Sequence, residues 1–287
     1  MRSRLLSVTL VTVLVLLLGA CSSVRLGYAS LPSFLAWRID RDLALDGAQR
    51  ALVGEHLDSL ASWHRASELP RYAAFLSGIA AAPAPVSEAT VAGWRIRALE
   101  DAWRPIAEKA ALPVAALALT LRPEQLDRLA RRFAERNEEL KREWGLVDPS
   151  ALIDARVERF RGRAEFFLGE LQKPQLDTLR ALAAAHPPYE ADWMAEREAR
   201  QRQAIAVLGA IAGEQLPIEV AEARVRDWLL AVWKVDDTAR AARLAEASAA
   251  TDRLSAALLA SAAPLQREAM TRRLRGWVQD LEAMAAR

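Results

Sequence analysis

Leu121-Arg-Pro-Glu-Gln125-Leu-Asp-Arg-Leu129 recurs as Leu171-Gln-Lys-Pro-Gln175-Leu-Asp-Thr-Leu179. Each copy carries a proline where a helix would begin, a position at which its missing N–H costs no intrahelical bond. Each also carries a glutamine in the first turn, able to reach back to an orphan amide as in a capping box. Leu45 to Gln49 and Ala262 to Gln266 repeat the spacing less fully. All four are read as helix starts. Gln49, Gln125, Gln175 and Gln266 are 76, 50 and 91 residues apart, so the copies do not make a regular solenoid.

Alanine, leucine, arginine and glutamate dominate the chain, β-branched residues are sparse, and apolar residues recur at three and four. That pattern favours helix nearly everywhere. The expected fold is all-α, an elongated bundle or arch of eight to ten helices forming one domain over 34–287. A short helix is expected over Phe34 to Arg41, and a second from Asp46 carrying Leu52, Leu57, Leu60 and Trp63 inward. Pro70 is expected to end or kink that helix, and Pro105 and Pro113 to bend and interrupt the one capped by Ser87. Further starts are read at Pro123, Asp148-Pro149, Pro174, Pro188, Pro217, Asp237 and Pro264.

The first residues read as an address. Arg2 and Arg4 precede an apolar run from Leu5 to Leu18, too short at 14 residues to cross a bilayer as a helix. A basic start, an apolar core and small residues make a removable export signal over 1–20. Leu18-Gly19-Ala20-Cys21 resembles the lipobox of bacterial lipoproteins. The resemblance implies cleavage before Cys21, a diacylglycerol on its sulfur, a further acyl chain such as palmitate on its amino group, and a lipidated tether over 21–33. Ser22 after the cysteine favours the periplasmic face of the outer membrane over retention at the inner one.

Removing residues 1–20 leaves 267 residues, and basic residues fall from 39 to 37 against 37 acidic ones. A neutral total argues against a nucleic-acid partner. The single cysteine leaves the body without disulfide chemistry.

Trp63-His-Arg-Ala-Ser-Glu68-Leu-Pro70-Arg-Tyr72 is the least generic segment. Together with the lipobox, Tyr28, Trp37, Asp40 and Gln49, it resembles an uncharacterised proteobacterial lipoprotein family, a domain of unknown function. His64 and Glu68, at i and i+4, can pair across one turn, with Arg65 reaching the same carboxylate. Trp63, His64, Arg65, Glu68, Pro70 and Tyr72 then make either a rigid corner or a binding surface enriched in Trp, Tyr and Arg. Catalysis by His64 and Glu68 lacks a nucleophile or a second base. His56 and His64 are too far apart along a helix to share a metal, and no motif of zinc, nucleotide or serine chemistry occurs. No catalytic residue, metal or cofactor is therefore expected.

Arg156, Arg159 and Arg163 fall on one helical face, and Arg272, Arg273 and Arg275 cluster near the end. Each group reads either as a solvated face or as a contact to lipid phosphates. The nine tryptophans sit singly and are expected to pin helix to helix. The glutamine pattern is also similar to the Leu-Thr-x-x-Gln element of small periplasmic helical chaperones. Asp46, Arg122, Gln172 and Ala263 stand where those have threonine. The expected function is a non-enzymatic, lipid-anchored binding protein of the cell envelope with an unidentified protein or lipid partner; a chaperone-like holdase is the alternative. A groove lined by Trp and Arg would favour capture of a ligand or peptide, and a filled bundle would favour scaffolding.

Overall fold

The computed structural model describes residues 24–146, 148 and 151–286, and among them there is no strand. The signal segment 1–20 and Cys21 lie outside the described residues. Helix α1 spans 24–43. Ten more follow: α2 (Gly47–Ala80), α3 (Glu88–Ile96), α4 (Ala102–Ala118), α5 (Pro123–Glu143), α6 (Leu152–Leu168), α7 (Lys173–Ala184), α8 (Glu190–Glu214), α9 (Ile218–Leu230), α10 (Thr238–Ala260) and α11 (Pro264–Ala285). A π-helical turn, Arg97–Asp101, joins α3 to α4.

Four prolines sit inside helices, and this corrects the sequence-based boundaries. Residues 24–33, expected as a tether, are helical through Pro32, so the first helix starts well before Phe34. Its inner side is fastened: Arg25 Nε donates to Asp280 Oδ1 at 2.5 Å, and Tyr28 shares a hydrogen bond with His64. Pro70 neither ends nor splits α2, which runs through it to Ala80. Its ring is on an exposed position, where water can satisfy the carbonyl it frees. Helix α4 likewise continues through Pro105 and Pro113. The wide turn before it ends at Asp101, whose carbonyl Pro105 cannot bond, so the ring is accommodated by widening rather than by breaking.

The cap chemistry locates most other boundaries. Asp46, Ser87 and Asp237 accept from the backbone amide three residues on. The start expected at Asp148-Pro149 is displaced: α6 begins at Leu152, and Pro149 lies outside the described residues.

Three apolar clusters form the interior. In one, Ala107, Ala111, Ala115 and Ala118 make a fully buried stripe along α4 against Ala221 and Val225 of α9 and Ile211 of α8. Side chains this small let the two axes approach closely. A second joins Phe160 and Leu168 of α6, Leu179 and Ala183 of α7, and Leu254 and Leu258 of α10. The third gathers Leu43, Leu45, Val53, Leu121 and Leu129, where α1, α2 and α5 meet. The most extensive helix–helix contact joins α2 to α11, nearly opposite ends of the chain.

Six carboxylates are buried among the described residues: Asp42, Glu68, Glu190, Glu196, Asp252 and Asp280. Every one meets an arginine. Asp252 of α10, for example, takes a two-pronged contact from Arg95 of α3, at 3.0 and 2.9 Å. A buried charge without such a partner would cost several kcal/mol.

Candidate functional site

The four glutamines meet in two pairs. Gln49 Nε2 donates to Gln125 Oε1 at 3.1 Å, and Gln125 Nε2 donates back to Gln49 Oε1 at 2.8 Å. Each oxygen also accepts its own helix-start amide, from Asp46 and Arg122. The remaining N–H groups go to the Thr120 and Leu43 carbonyls at 2.8 and 3.2 Å. Gln175 and Gln266 repeat the arrangement at 2.9 and 3.1 Å, each capping its own helix and donating to Ser261 O and Glu170 O. Both clasps are buried and fully bonded, so they fix helix starts against each other rather than offer a free group.

The Trp63–Tyr72 segment runs from the middle of α2 towards its end. His64 Nδ1 lies 3.0 Å from the Tyr28 hydroxyl, and its ring packs edge-on to Tyr72 and Trp63 at 5.5 and 6.2 Å. Burial holds its pKa below the usual 6.5, against an opposing pull from Glu68. The expected Arg65–Glu68 pair does not form. Arg71 Nη1 donates to both Glu68 oxygens at 3.1 Å instead, while Arg65 lies beside Tyr28, opposing the upward push of burial on that phenol. Burial and the Glu68 charge also raise Tyr72.

Glu68, Arg71 and Tyr72 open onto a groove of about 660 Å³, within the usual range for small-ligand sites. Phe75 and Leu76 continue its α2 wall, the π turn supplies Arg97 and Leu99, and α4 supplies Trp103 and Ile106. Ala98, Asp101 and Ala102 line the bend between them, and Trp233 and Leu281 complete the groove. Trp103 is held by a 2.7 Å bond from its Nε1 to the Leu229 carbonyl in the last turn of α9. Arg97 stacks over Phe75 at 5.9 Å, and Arg200 over Trp233 at 5.8 Å. The result is an apolar, aromatic trough with guanidinium groups at its edge. It can hold an apolar chain and, beside Arg97, an anionic tip; the carboxylates of Glu68 and Asp101 also line it.

Other expectations fall differently. Arg156 is neither solvated nor available to lipid: it is buried, with Nε and Nη2 donating to Glu190 at 2.8 and 2.7 Å. Arg159 reaches the same carboxylate at 2.9 Å and lies over Trp144. Burial acts to raise the Glu190 pKa, but Arg156 and backbone amides more than offset it, leaving it lowered. Arg163 alone of the three is exposed. Arg273 stacks on Phe166 at 4.9 Å, while Arg272 and Arg275 edge a shallow cleft along α11. His186, which carried no signal in the sequence, is buried and bridges the Pro187 carbonyl and the Thr251 hydroxyl. Among the described residues no group of three His, Cys, Asp or Glu side chains could hold a metal, and no helix is long and apolar enough to cross a membrane.

Fold and groove together define an all-helical protein with an arginine-edged aromatic trough. The chain belongs to a family of unknown function, DUF6279, whose model matches residues 41–215. That match spans α2 to α8, including the first clasp and most of the groove, and stops short of Trp233, Leu281 and Gln266. No curated protein and no solved structure matches the chain.

Proposed function

We propose that this is a lipid-anchored binding protein of the bacterial envelope, without enzymatic activity, held through Cys21 at the periplasmic face of the outer membrane. In this reading the groove captures an apolar segment of an envelope protein or lipid carrying a negative group. The groove lined by Trp103, Trp233, Arg71 and Arg97 is the observation that carries it. Arginine and tryptophan are the side chains that dominate binding hot spots. Export, cleavage and lipidation follow from the lipobox resemblance, and two or three acyl chains suffice for lasting attachment.

A photo-crosslinker at Leu99 in intact cells is expected to trap one reproducible envelope partner, and the same probe at Lys173 is not. Trapping nothing, while purified protein turns over a cell-wall or lipid substrate, would refute the reading.

The glutamine clasps favour a second reading, a holdase, because they use the helix starts that resemble those of periplasmic helical chaperones. It predicts that an equimolar amount suppresses aggregation of an unfolded client. No suppression at several-fold excess removes it.

A further inference from the structure

Helix α1 has two unlike sides. Ala36, Ile39 and Leu43 face the interior, and Tyr28 is bonded to His64. On the other side Leu26, Leu31, Phe34 and Trp37 are 69%, 41%, 52% and 51% exposed. At 100° per residue these four fall within one arc, together with Gly27, Ser30, Arg38 and Arg41. The Ser30 hydroxyl is satisfied within the helix, donating to the Leu26 carbonyl at 3.0 Å. No carboxylate lies on the arc. Asp40, just beyond Leu26 around the helix, accepts from the Leu45 amide and lies 3.6 Å from Arg50 with its side chain 38% exposed, while buried Asp42 meets Arg132 and Arg136. Arg41 lies 5.4 Å from the Trp37 ring centre, and Arg38 reaches back to Asp42 at 3.3 Å.

We propose that this face of α1 rests on an anionic phospholipid surface, with Leu26, Phe34 and Trp37 among the upper acyl segments and Arg41 at the phosphates. The inference deepens the lipid-anchor reading and rests on it. Only Ser22 and Ser23 separate Cys21 from residue 24, a span of at most about 11 Å of extended chain. An acylated Cys21 therefore delivers the start of α1 to the bilayer. An apolar stripe bordered by arginine, with aromatic side chains at headgroup depth, is the composition of a helix lying in an interface. Arg38 and Arg41 lie on the arc, and the nearest exposed carboxylate, Asp40, is engaged by Arg50 and the Leu45 amide, a balance that suits an anionic partner. Laid this way, α1 fixes the orientation of the whole body on the membrane, where acyl chains alone would leave it free to swing.

The test uses the full chain, purified from membranes and placed one copy per nanodisc of phosphatidylethanolamine and phosphatidylglycerol. A polarity-sensitive dye is attached at Phe34→Cys or, as a control, at the exposed Lys173→Cys. The dye at position 34 is expected to shift its emission to the blue and to lose at least three-fold in quenching by aqueous iodide relative to position 173. Equal quenching at the two positions overturns the proposal, and points to a second copy or a protein partner that single-copy discs exclude. Intact mass of the parent chain reads the anchor separately. An unmodified Cys21 refutes the anchor and this proposal together, whereas a lipidated chain with an iodide-accessible position 34 refutes the membrane face alone.

Discussion

Gln49 and Gln125 each fill both lone pairs and both amide hydrogens inside the protein. Truncating one to alanine strands its partner and a helix-start amide, at about 1–3 kcal/mol. Gln49→Ala and Gln125→Ala should each destabilise by that amount in urea unfolding, and the double variant by clearly less than their sum. Arg156→Met leaves buried Glu190 with Arg159 alone and should cost roughly 3–5 kcal/mol, while Arg156→Met with Glu190→Leu recovers most of the loss. His64 gives a titration. Its folded pKa is depressed, so below pH 6.5 the unfolded chain binds a proton that the fold refuses. Stability is therefore full above 6.5 and declines as pH falls towards the folded value. His64→Gln should flatten that segment of a stability-versus-pH curve and leave the acid limb in place. That limb belongs to carboxylates such as Glu190 and Asp42, whose lowered values withdraw stability only under more acid conditions.

At the scale of the element, helix starts were legible because their chemistry is local: a cap residue, a proline and a glutamine all act within one turn. Proline breaks were not. Pro32, Pro70, Pro105 and Pro113 all sit within continuous helix, because their consequences depend on which side faces water and on what the preceding turn can absorb. The pairing of the glutamines was equally hidden, since a capping box looks the same whether or not a second one docks against it. Arg156 and Glu190 are 34 residues apart, beyond any periodicity that a single helix face displays. The groove was legible in part. Its Glu68-Leu-Pro70-Arg-Tyr72 wall stood out as unusual, while Leu99, Trp233 and Leu281 join it only through packing. The π turn at Arg97–Asp101 is one residue longer than an α turn needs, and it carries four lining residues, Arg97, Ala98, Leu99 and Asp101. Deleting Ala98 should restore regular helix, keep the circular dichroism spectrum, and weaken retention of an apolar fluorescent probe by about ten-fold.

Across the whole molecule, the two clasps join helix starts 76 and 91 residues apart, and the Arg25–Asp280 bond spans 255. Such links make one cooperative unit of helices that would be marginal alone. Removing 264–287 deletes one clasp partner and the long neighbour of α2. It should replace a single urea transition, followed by both fluorescence and circular dichroism, with two that no longer coincide.

Helix α11, made after every other described helix, is the one that seals the first part of the chain. A polypeptide emerging amino end first must wait for α11 before α2 gains its main neighbour and before Gln175 finds its counterpart. Until then the flank of α2 that α11 covers stands bare, in reach of proteases and escort proteins. Maturation is thus governed by arrival of α11, and a ribosome that stops before it releases something the cell can recognise as unfinished.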